Sequence, residues 1–180
     1  MYQDYKDLLS AFRFHGVKYL VVGGFAVIRY SQPRFTGDID LFIKADLANA
    51  RAVYAALSEF GVPLQGVRPE DFTDRNSFFR FGREPRGFDI LPSIPGVDFD
   101  AAWEKRVETV VDPASGLKAN FISADDLIAS KLASGRPQDL ADADAIRKAA
   151  ESQRRRYVNS GVSPPGLNAV ILRDESKNQP

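Results

Sequence analysis

The chain has 180 residues but no cysteine, and His15 is its one histidine. Disulfide frameworks and cysteine-based zinc sites are therefore excluded, and histidine contributes little to any catalytic or metal site. Basic and acidic side chains number 24 each, and this zero net charge argues against a strongly basic nucleic-acid-binding protein. No apolar run approaches the roughly 20 residues that span a membrane, and the N-terminus does not resemble a signal peptide. We expect a cytoplasmic protein that makes no membrane contact.

A pair of glycines follows the first apolar strand-like segment. Residues 19–22 are predicted to form a buried strand that ends at Gly23 and Gly24, and residues 25–30 have the pattern of a helix. Glycine lets backbone N–H groups approach a ligand closely, and the start of a helix favours anions, so this turn is a candidate phosphate site. A Walker loop and a dinucleotide fingerprint are both excluded, because the Lys-Ser/Thr pair and the third glycine of these motifs are missing. Taken alone, a glycine pair is more often a tight structural turn.

Three aspartates lie inside apolar runs that are typical of buried strands, namely Asp38, Asp40 and Asp89. A carboxylate in a buried strand is costly unless it is paired or bound to a metal. Because alternate residues of a strand share a face, Asp38 and Asp40 should project together, and their like charges would repel each other. A divalent cation removes this repulsion, and ligands that are all oxygen favour Mg²⁺ or Mn²⁺. For Asp38 and Asp40 alone, a strand end that meets solvent is the alternative. Together with the glycines, the acids indicate metal-dependent phosphoryl or nucleotidyl transfer.

The Gly23-Gly24 pair, the thirteen residues before Asp38-Ile39-Asp40, and the later Asp89 resemble the nucleotidyltransferase superfamily of the DNA polymerase β type. Residues 34–40 and 131–142 are similar to the bacterial branch that includes AbiEii/AbiGii-type toxins and related nucleotidyltransferase-like proteins. The resemblance covers roughly residues 15–150. It implies an α/β (α+β) fold with a small mixed sheet, flanking helices and a helical C-terminal segment. It also implies transfer of a nucleoside monophosphate from an NTP such as ATP to a hydroxyl.

The acids and the glycines have separate predicted roles in this chemistry. We expect Asp38, Asp40 and Asp89 to be catalytic and to hold two Mg²⁺ (or Mn²⁺) ions, with Asp89 as the general base. Gly23 and Gly24 are expected to bind the phosphates of the nucleotide.

Three further residues are candidate nucleotide ligands. Arg34 and Thr36 lie in the loop that leads to the acids, and Arg34 either contacts phosphate or the acceptor or is a solvated loop charge. By resemblance, Lys131 meets the triphosphate; the alternative is a surface lysine with a buried stem. Asp139 is expected to cap the N-terminus of a helix rather than to act in catalysis.

The sequence identifies neither the acceptor nor the base of the NTP. We leave tRNA, a protein and a small molecule such as an antibiotic open as acceptors, with a cognate toxin or antitoxin as a further partner. A catalytically weak nucleotide- or partner-binding module with the same fold is the alternative function. The three retained acids argue against it.

The remaining pattern predicts the secondary structure and the division of the chain. Helices are expected at residues 2–14, 46–59, 98–106, 123–134 and 139–155, and strands at 39–43, 77–81, 88–91, 107–111 and 117–121. The segment around Phe78 and Phe79 is expected in the core. We predict a nucleotidyltransferase core over residues 1–122, a helical segment over 123–158 that packs on it, and a flexible tail over 159–180.

Overall fold

The computed structural model describes residues 1–33, 35–83 and 86–160. The helices and strands follow one another as α1 (Gln3–Phe14), β1 (Tyr19–Val22), α2 (Gly23–Tyr30), β2 (Ile39–Ile43), α3 (Leu47–Phe60), a 3-10 helix (Pro69–Thr73), β3 (Phe79–Arg83), β4 (Arg86–Leu91), α4 (Phe99–Glu104), β5 (Val107–Asp112), β6 (Leu117–Phe121), α5 (Ala124–Ser134) and α6 (Pro137–Ser160). Over this described part of the chain, every helix is too short or too polar to cross a membrane.

The six strands form one mixed sheet in the order β3-β4-β2-β1-β6-β5. The strand β2 pairs antiparallel with β1 and parallel with β4, whereas β1 pairs parallel with β6. The hairpins β3–β4 and β5–β6 form the two edges of the sheet. This is the small mixed sheet with flanking helices that the sequence predicted, so the expected fold class is confirmed.

The core lies on the face of β2 that is opposite to its acids. Ile39 and Leu41 are fully buried, together with Leu8 and Phe12 of α1 and Leu57 of α3. The alternation of β2 therefore turns Ile39 and Leu41 into this core and leaves Asp40 on the other face, where Phe42 is also buried.

Local signals set several helix ends where the sequence placed them. The Asp46 side chain accepts a hydrogen bond from the Asn49 N–H at 2.8 Å and caps α3, which ends at the left-handed Gly61. In the same way Ser123 caps α5, which ends at the left-handed Gly135. These boundaries are confirmed, because each depends on one residue and its immediate neighbours.

Other boundaries differ from the prediction. The helix α6 begins at Pro137, so Asp139 lies in its first turn and is not the N-cap. Proline is favourable at a first helical position, since its missing N–H has no helical partner there. The strand β3 begins at Phe79 rather than at residue 77, and Phe78 is 63% exposed instead of buried. The predicted tail lies outside the described residues from 161 onwards, while α6 continues to Ser160.

Candidate active site

Four residues form a straight row across neighbouring strands of the sheet. The register places Asp40 of β2 opposite Val22 of β1 on one side and opposite Asp89 of β4 on the other, and Asp89 lies opposite Arg80 of β3. Residues that are directly opposite in a sheet project from the same face. Two carboxylates and a guanidinium therefore share one surface at this point of the sheet.

The carboxylate of Asp40 lies against the glycine turn. Gly23 has φ +57°, and a Cβ added to it would come within 1.8 Å of Asp40 Oδ2. The backbone N–H of Gly24 donates a hydrogen bond to the same carboxylate. The first glycine thus makes room for Asp40, and the second orients it. The Gly24 N–H, which the sequence predicted to bind phosphate, donates to Asp40 in this structure.

Burial shifts the protonation equilibrium of the Asp40 carboxyl group towards its neutral form. Loss of solvent, and then the negative charge of Asp89, raise its pKa from 3.8 to about 6, against the lowering effects of the Gly24 N–H and the Lys131 ammonium. Within the described part of the chain, no side-chain ion pair compensates Asp40. The ionised form of Asp40 is therefore energetically unfavourable on this surface.

Asp38 is held at the start of β2 by the neighbouring strand. Its Oδ1 accepts a hydrogen bond from the Gly87 N–H at 2.9 Å. The Tyr5 hydroxyl lies within hydrogen-bonding distance of the carbonyl oxygens of Gly37 and Gly87. The helix α1 thus ties the loop before Asp38 to the beginning of β4.

Asp89, by contrast, is fully occupied by a side chain. Arg80 donates Nε to Oδ1 at 2.8 Å and Nη2 to Oδ2 at 2.7 Å, which is the bidentate geometry of a strong arginine–carboxylate pair. The Asp89 side chain is 8% exposed, whereas that of Arg80 is 64% exposed. The hydrogen bonds and charge of Asp89, with the charges of Asp38 and Asp40, raise the pKa of the Arg80 guanidinium.

The chemistry of the three acids fits a hard divalent cation, although their side chains do not converge on one point. They supply only oxygen ligands. A bound cation would stabilise the ionised form of Asp40, whose pKa is raised in its absence. Asp38, however, turns to Gly87 and Asp89 to Arg80, and among residues 1–33, 35–83 and 86–160 no three acidic or histidine side chains form a metal-binding group. A metal would require at least Asp89 to exchange its partner.

Lys131 belongs to a buried ionic cluster on α5 and α6. Its ammonium contacts Asp139 at 2.6 Å and Asp142 at 3.0 Å, and the three side chains are 12%, 3% and 4% exposed. Arg136 Nε also donates to Asp139 at 2.5 Å. Burial alone would raise the pKa of Asp139, but hydrogen bonds from Lys131, Arg136 and Ser134 outweigh it and lower that pKa to about 2. The alternative of a surface lysine therefore does not hold.

A pocket of about 480 Å³ is lined by Asp40 and by the Lys131 cluster, but not by Asp38 or Asp89. Its polar wall contains Asp40, Lys131 and Arg136, and its apolar wall includes Ile94 and Leu127. A volume of this size, with a mainly apolar lining and a few polar groups, is typical of small-molecule and cofactor sites. Asp40 and Lys131 are thus brought to one cavity, and their roles as metal and triphosphate ligands stay predictions.

The remaining predicted ligands lie beside this site or outside the described residues. Thr36 Oγ1 donates to the Asp38 carbonyl at 3.3 Å, and a Cβ on Gly24 would come within 2.4 Å of that hydroxyl oxygen. Thr36 thus packs on the glycine turn. Arg34 is not among the described residues, so its role stays a prediction.

Sequence reasoning missed Arg80, although a signal was available. The predicted turn between Gly82 and Gly87 pairs these two residues, and counting outward places Arg80 opposite Asp89. Asp142 was missed as well. It lies three residues after Asp139 on α6, which places both carboxylates on one helix face.

Comparison with known proteins identifies the family. A family model described as "Nucleotidyltransferase of unknown function (DUF6036)" matches residues 7–150. The chain belongs to this nucleotidyltransferase family. No curated protein sequence matches it. The fold is similar to that of the lincosamide antibiotic adenylyltransferase LnuA, solved with lincomycin bound, at a TM-score of 0.52 and 19% sequence identity; the match covers 83% of this chain and 98% of the LnuA chain. The predicted superfamily resemblance is confirmed.

Proposed function

We propose that this protein transfers a nucleoside monophosphate from an NTP to a hydroxyl group of an acceptor. One observation carries the proposal: Asp40, the N-terminus of α2 and Lys131 meet at a single pocket of about 480 Å³. That pocket brings together a carboxylate, a helix start and an ammonium, which are the groups that a metal-bound triphosphate requires.

Asp38, Asp40 and Asp89 would hold divalent cations, Mg²⁺ or Mn²⁺. When bound, such ions neutralise phosphate charge and lower the pKa of the attacking hydroxyl. The chain itself supplies orientation. The Gly24 N–H orients the Asp40 carboxylate, and the Gly87 N–H orients that of Asp38. As the proton acceptor, Asp89 would first have to lose the two hydrogen bonds from Arg80.

Lys131 would bind the outer phosphates through the one ammonium N–H that does not donate to Asp139 or Asp142. An ammonium has three N–H donors, and two are directed at Asp139 and Asp142. These carboxylates hold the ammonium at the pocket wall. They also cancel much of its charge, so its contribution to affinity is that of one well-placed hydrogen bond rather than a free cation.

The acceptor is proposed only as a class. LnuA is an adenylyltransferase of lincosamide antibiotics, and by analogy a small hydroxyl compound is one candidate here. A tRNA or a protein is the other, with a toxin–antitoxin pair as the biological setting. A catalytically weak binding module remains a second candidate function, because Arg80 occupies both oxygens of Asp89.

The decisive experiment is a labelling reaction with each α-³²P-labelled NTP, Mg²⁺ and a cell extract. We expect one NTP to label an RNA, protein or small-molecule fraction, and Asp40→Asn to abolish that label. The Asp144→Asn variant is a matched control, since Asp144 is 60% exposed and pairs only with Lys148 of the same helix among the described residues. If no NTP labels any fraction, the binding-module function is favoured.

Substitution of Lys131 tests the phosphate contact. Lys131→Gln should weaken NTP binding by about 1.5–3 kcal/mol, the usual range for a charge-assisted hydrogen bond, and should weaken NMP binding much less. Glutamine keeps N–H donors for the two buried aspartates but removes the positive charge that pairs with them, so the variant should lose stability, and circular dichroism must show that it is folded before the titration. Calorimetry with both nucleotides measures the difference, with Lys148→Gln as the control because Lys148 is 72% exposed. Equal losses for NTP and NMP would place the phosphate site elsewhere.

A further inference from the structure

Arg80 is a positively charged side chain that lies beside the three acids and pairs with Asp89. It comes from β3, the edge strand of the sheet, and reaches across to grip both oxygens of Asp89 on β4. Its guanidinium also lies close enough to Asp38 and Asp40 to be influenced by their charges. The sequence motif of the family resemblance did not include this residue.

The arginine and a divalent cation compete for the same carboxylate. A metal on Asp89 would place a double positive charge beside a guanidinium that is always protonated, and like charges at such distances repel strongly. Asp89 therefore serves either Arg80 or a metal, but not both in the observed geometry.

The partner that moves must be the arginine. Its side chain is 64% exposed, whereas the Asp89 side chain is 8% exposed on a strand inside the sheet. Turning Arg80 outward leaves the Asp89 carboxylate without its counter-ion, so a cation must take its place. A planar guanidinium with two parallel N–H donors fits phosphate as well as it fits carboxylate.

From this arrangement we infer that Arg80 is an exchangeable ligand that holds Asp89 until a metal–triphosphate complex arrives, and then binds the triphosphate. The inference rests on the proposed function. It assigns to Arg80 a positioning role, since it keeps the third carboxylate oriented in the free protein. It also adds a phosphate ligand that lies outside the motifs of this chain. The entry of a metal alone is opposed, and the entry of metal with triphosphate is favoured.

The test measures binding, not turnover. Free Mn²⁺ is titrated by electron paramagnetic resonance against wild type and Arg80→Gln, first alone and then with a saturating NTP. We expect Arg80→Gln to bind Mn²⁺ alone about tenfold more tightly, because the competing cation is gone, and to bind the Mn²⁺–NTP complex about tenfold more weakly, because a phosphate ligand is lost. A residue with a merely structural role cannot change the two affinities in opposite directions.

Two further variants complete the design. Arg68→Gln is the matched control, because Arg68 is 76% exposed, pairs with Asp71 at 3.3 Å and caps the 3-10 helix. Neither affinity should change in it. Arg80→Lys keeps one charge but loses the bidentate fork, so both of its affinities should lie between those of wild type and Arg80→Gln. This variant also replaces Arg80→Gln if the latter does not fold.

The outcomes separate this inference from the proposed function. Unchanged or weaker Mn²⁺ binding in Arg80→Gln overturns the competition, even if wild type labels an acceptor. Tighter Mn²⁺ binding with unchanged NTP affinity overturns the exchange onto phosphate. If the two affinities move in opposite directions but wild type labels no acceptor, the exchange stands and the transferase function fails.

Discussion

Replacement of Asp40 by asparagine should stabilise the fold while it removes activity. The asparagine side chain keeps an oxygen that accepts from the Gly24 N–H, and it carries no charge. In wild type, burial and Asp89 raise the pKa of Asp40 from 3.8 to about 6, so at neutral pH the folded protein holds an ionised carboxylate in an environment that favours the neutral acid. A variant without that charge avoids this penalty.

The magnitude follows from the linkage between proton binding and stability. A rise of the pKa from 3.8 to about 6 corresponds to at most about 3 kcal/mol. Because Asp40 is partly exposed, solvent screening reduces this to about 1–2 kcal/mol. For a domain of this size the melting temperature should then increase by about 2–8 °C. The sign depends on pH: a raised pKa costs stability above about 6 and costs nothing below 3.8, so the gain should vanish as the pH falls to about 4.

Thermal unfolding of wild type and Asp40→Asn at about pH 7.5 and about pH 4 measures this difference. Other acids contribute equally to both proteins, so the comparison isolates Asp40. Asp144→Asn should change stability by less than about 0.5 kcal/mol at either pH, since its pair is on the surface. A variant that melts below wild type at the higher pH, or an equal gain at both pH values, would refute the reasoning and make Asp40 a structural residue.

Two further predictions concern the groups around the acids. Gly23→Ala should cost about 1–2 kcal/mol of stability, because alanine is unfavourable in the left-handed backbone conformation of Gly23. It should also abolish labelling, because the new Cβ displaces the Asp40 carboxylate. Chemical denaturation and the labelling assay measure the two effects, and retained labelling would contradict the placement of Asp40. Tyr5→Phe should destabilise the fold by about 1 kcal/mol, because the carbonyl oxygens of Gly37 and Gly87 lose a hydrogen-bond donor. Urea unfolding measures this loss, and an unchanged stability would mean that α1 does not hold the loop before Asp38.

Patterns within a few residues of the chain predicted the fold well. The strand of residues 19–22 and the strand of residues 39–43 were predicted at the observed bounds, since an apolar run that ends at Gly23 marks the first and an apolar run around Asp40 marks the second. The start of α6 was wrong by two residues, because proline at a first helical position gave a signal as strong as that of Asp139. Phe78 was wrongly placed in the core, since its exposure depends on where β3 begins.

The partners of the site residues were harder to predict, because they are distant in sequence. Asp40 and Asp89 could be paired only through the parallel register of β2 and β4, which no local signal specifies. The two aspartates on α6 that hold Lys131 depend on the packing of two helices. A motif thus identifies charged residues, but the register and packing decide which of those charges are already neutralised.

That distribution of charge explains why Asp40 and Asp89 should respond differently to a metal. Asp89 has a counter-ion in Arg80, so a cation that binds it must first displace an ion pair. Among the described residues Asp40 has no ion pair, and its pKa is raised despite the Gly24 N–H and the charge of Lys131, so a cation that binds it removes an existing penalty. Mg²⁺ should therefore raise the melting temperature of wild type mainly through Asp40. The same addition should leave Asp40→Asn nearly unchanged, and an equal increase in both proteins would show that the metal binds elsewhere.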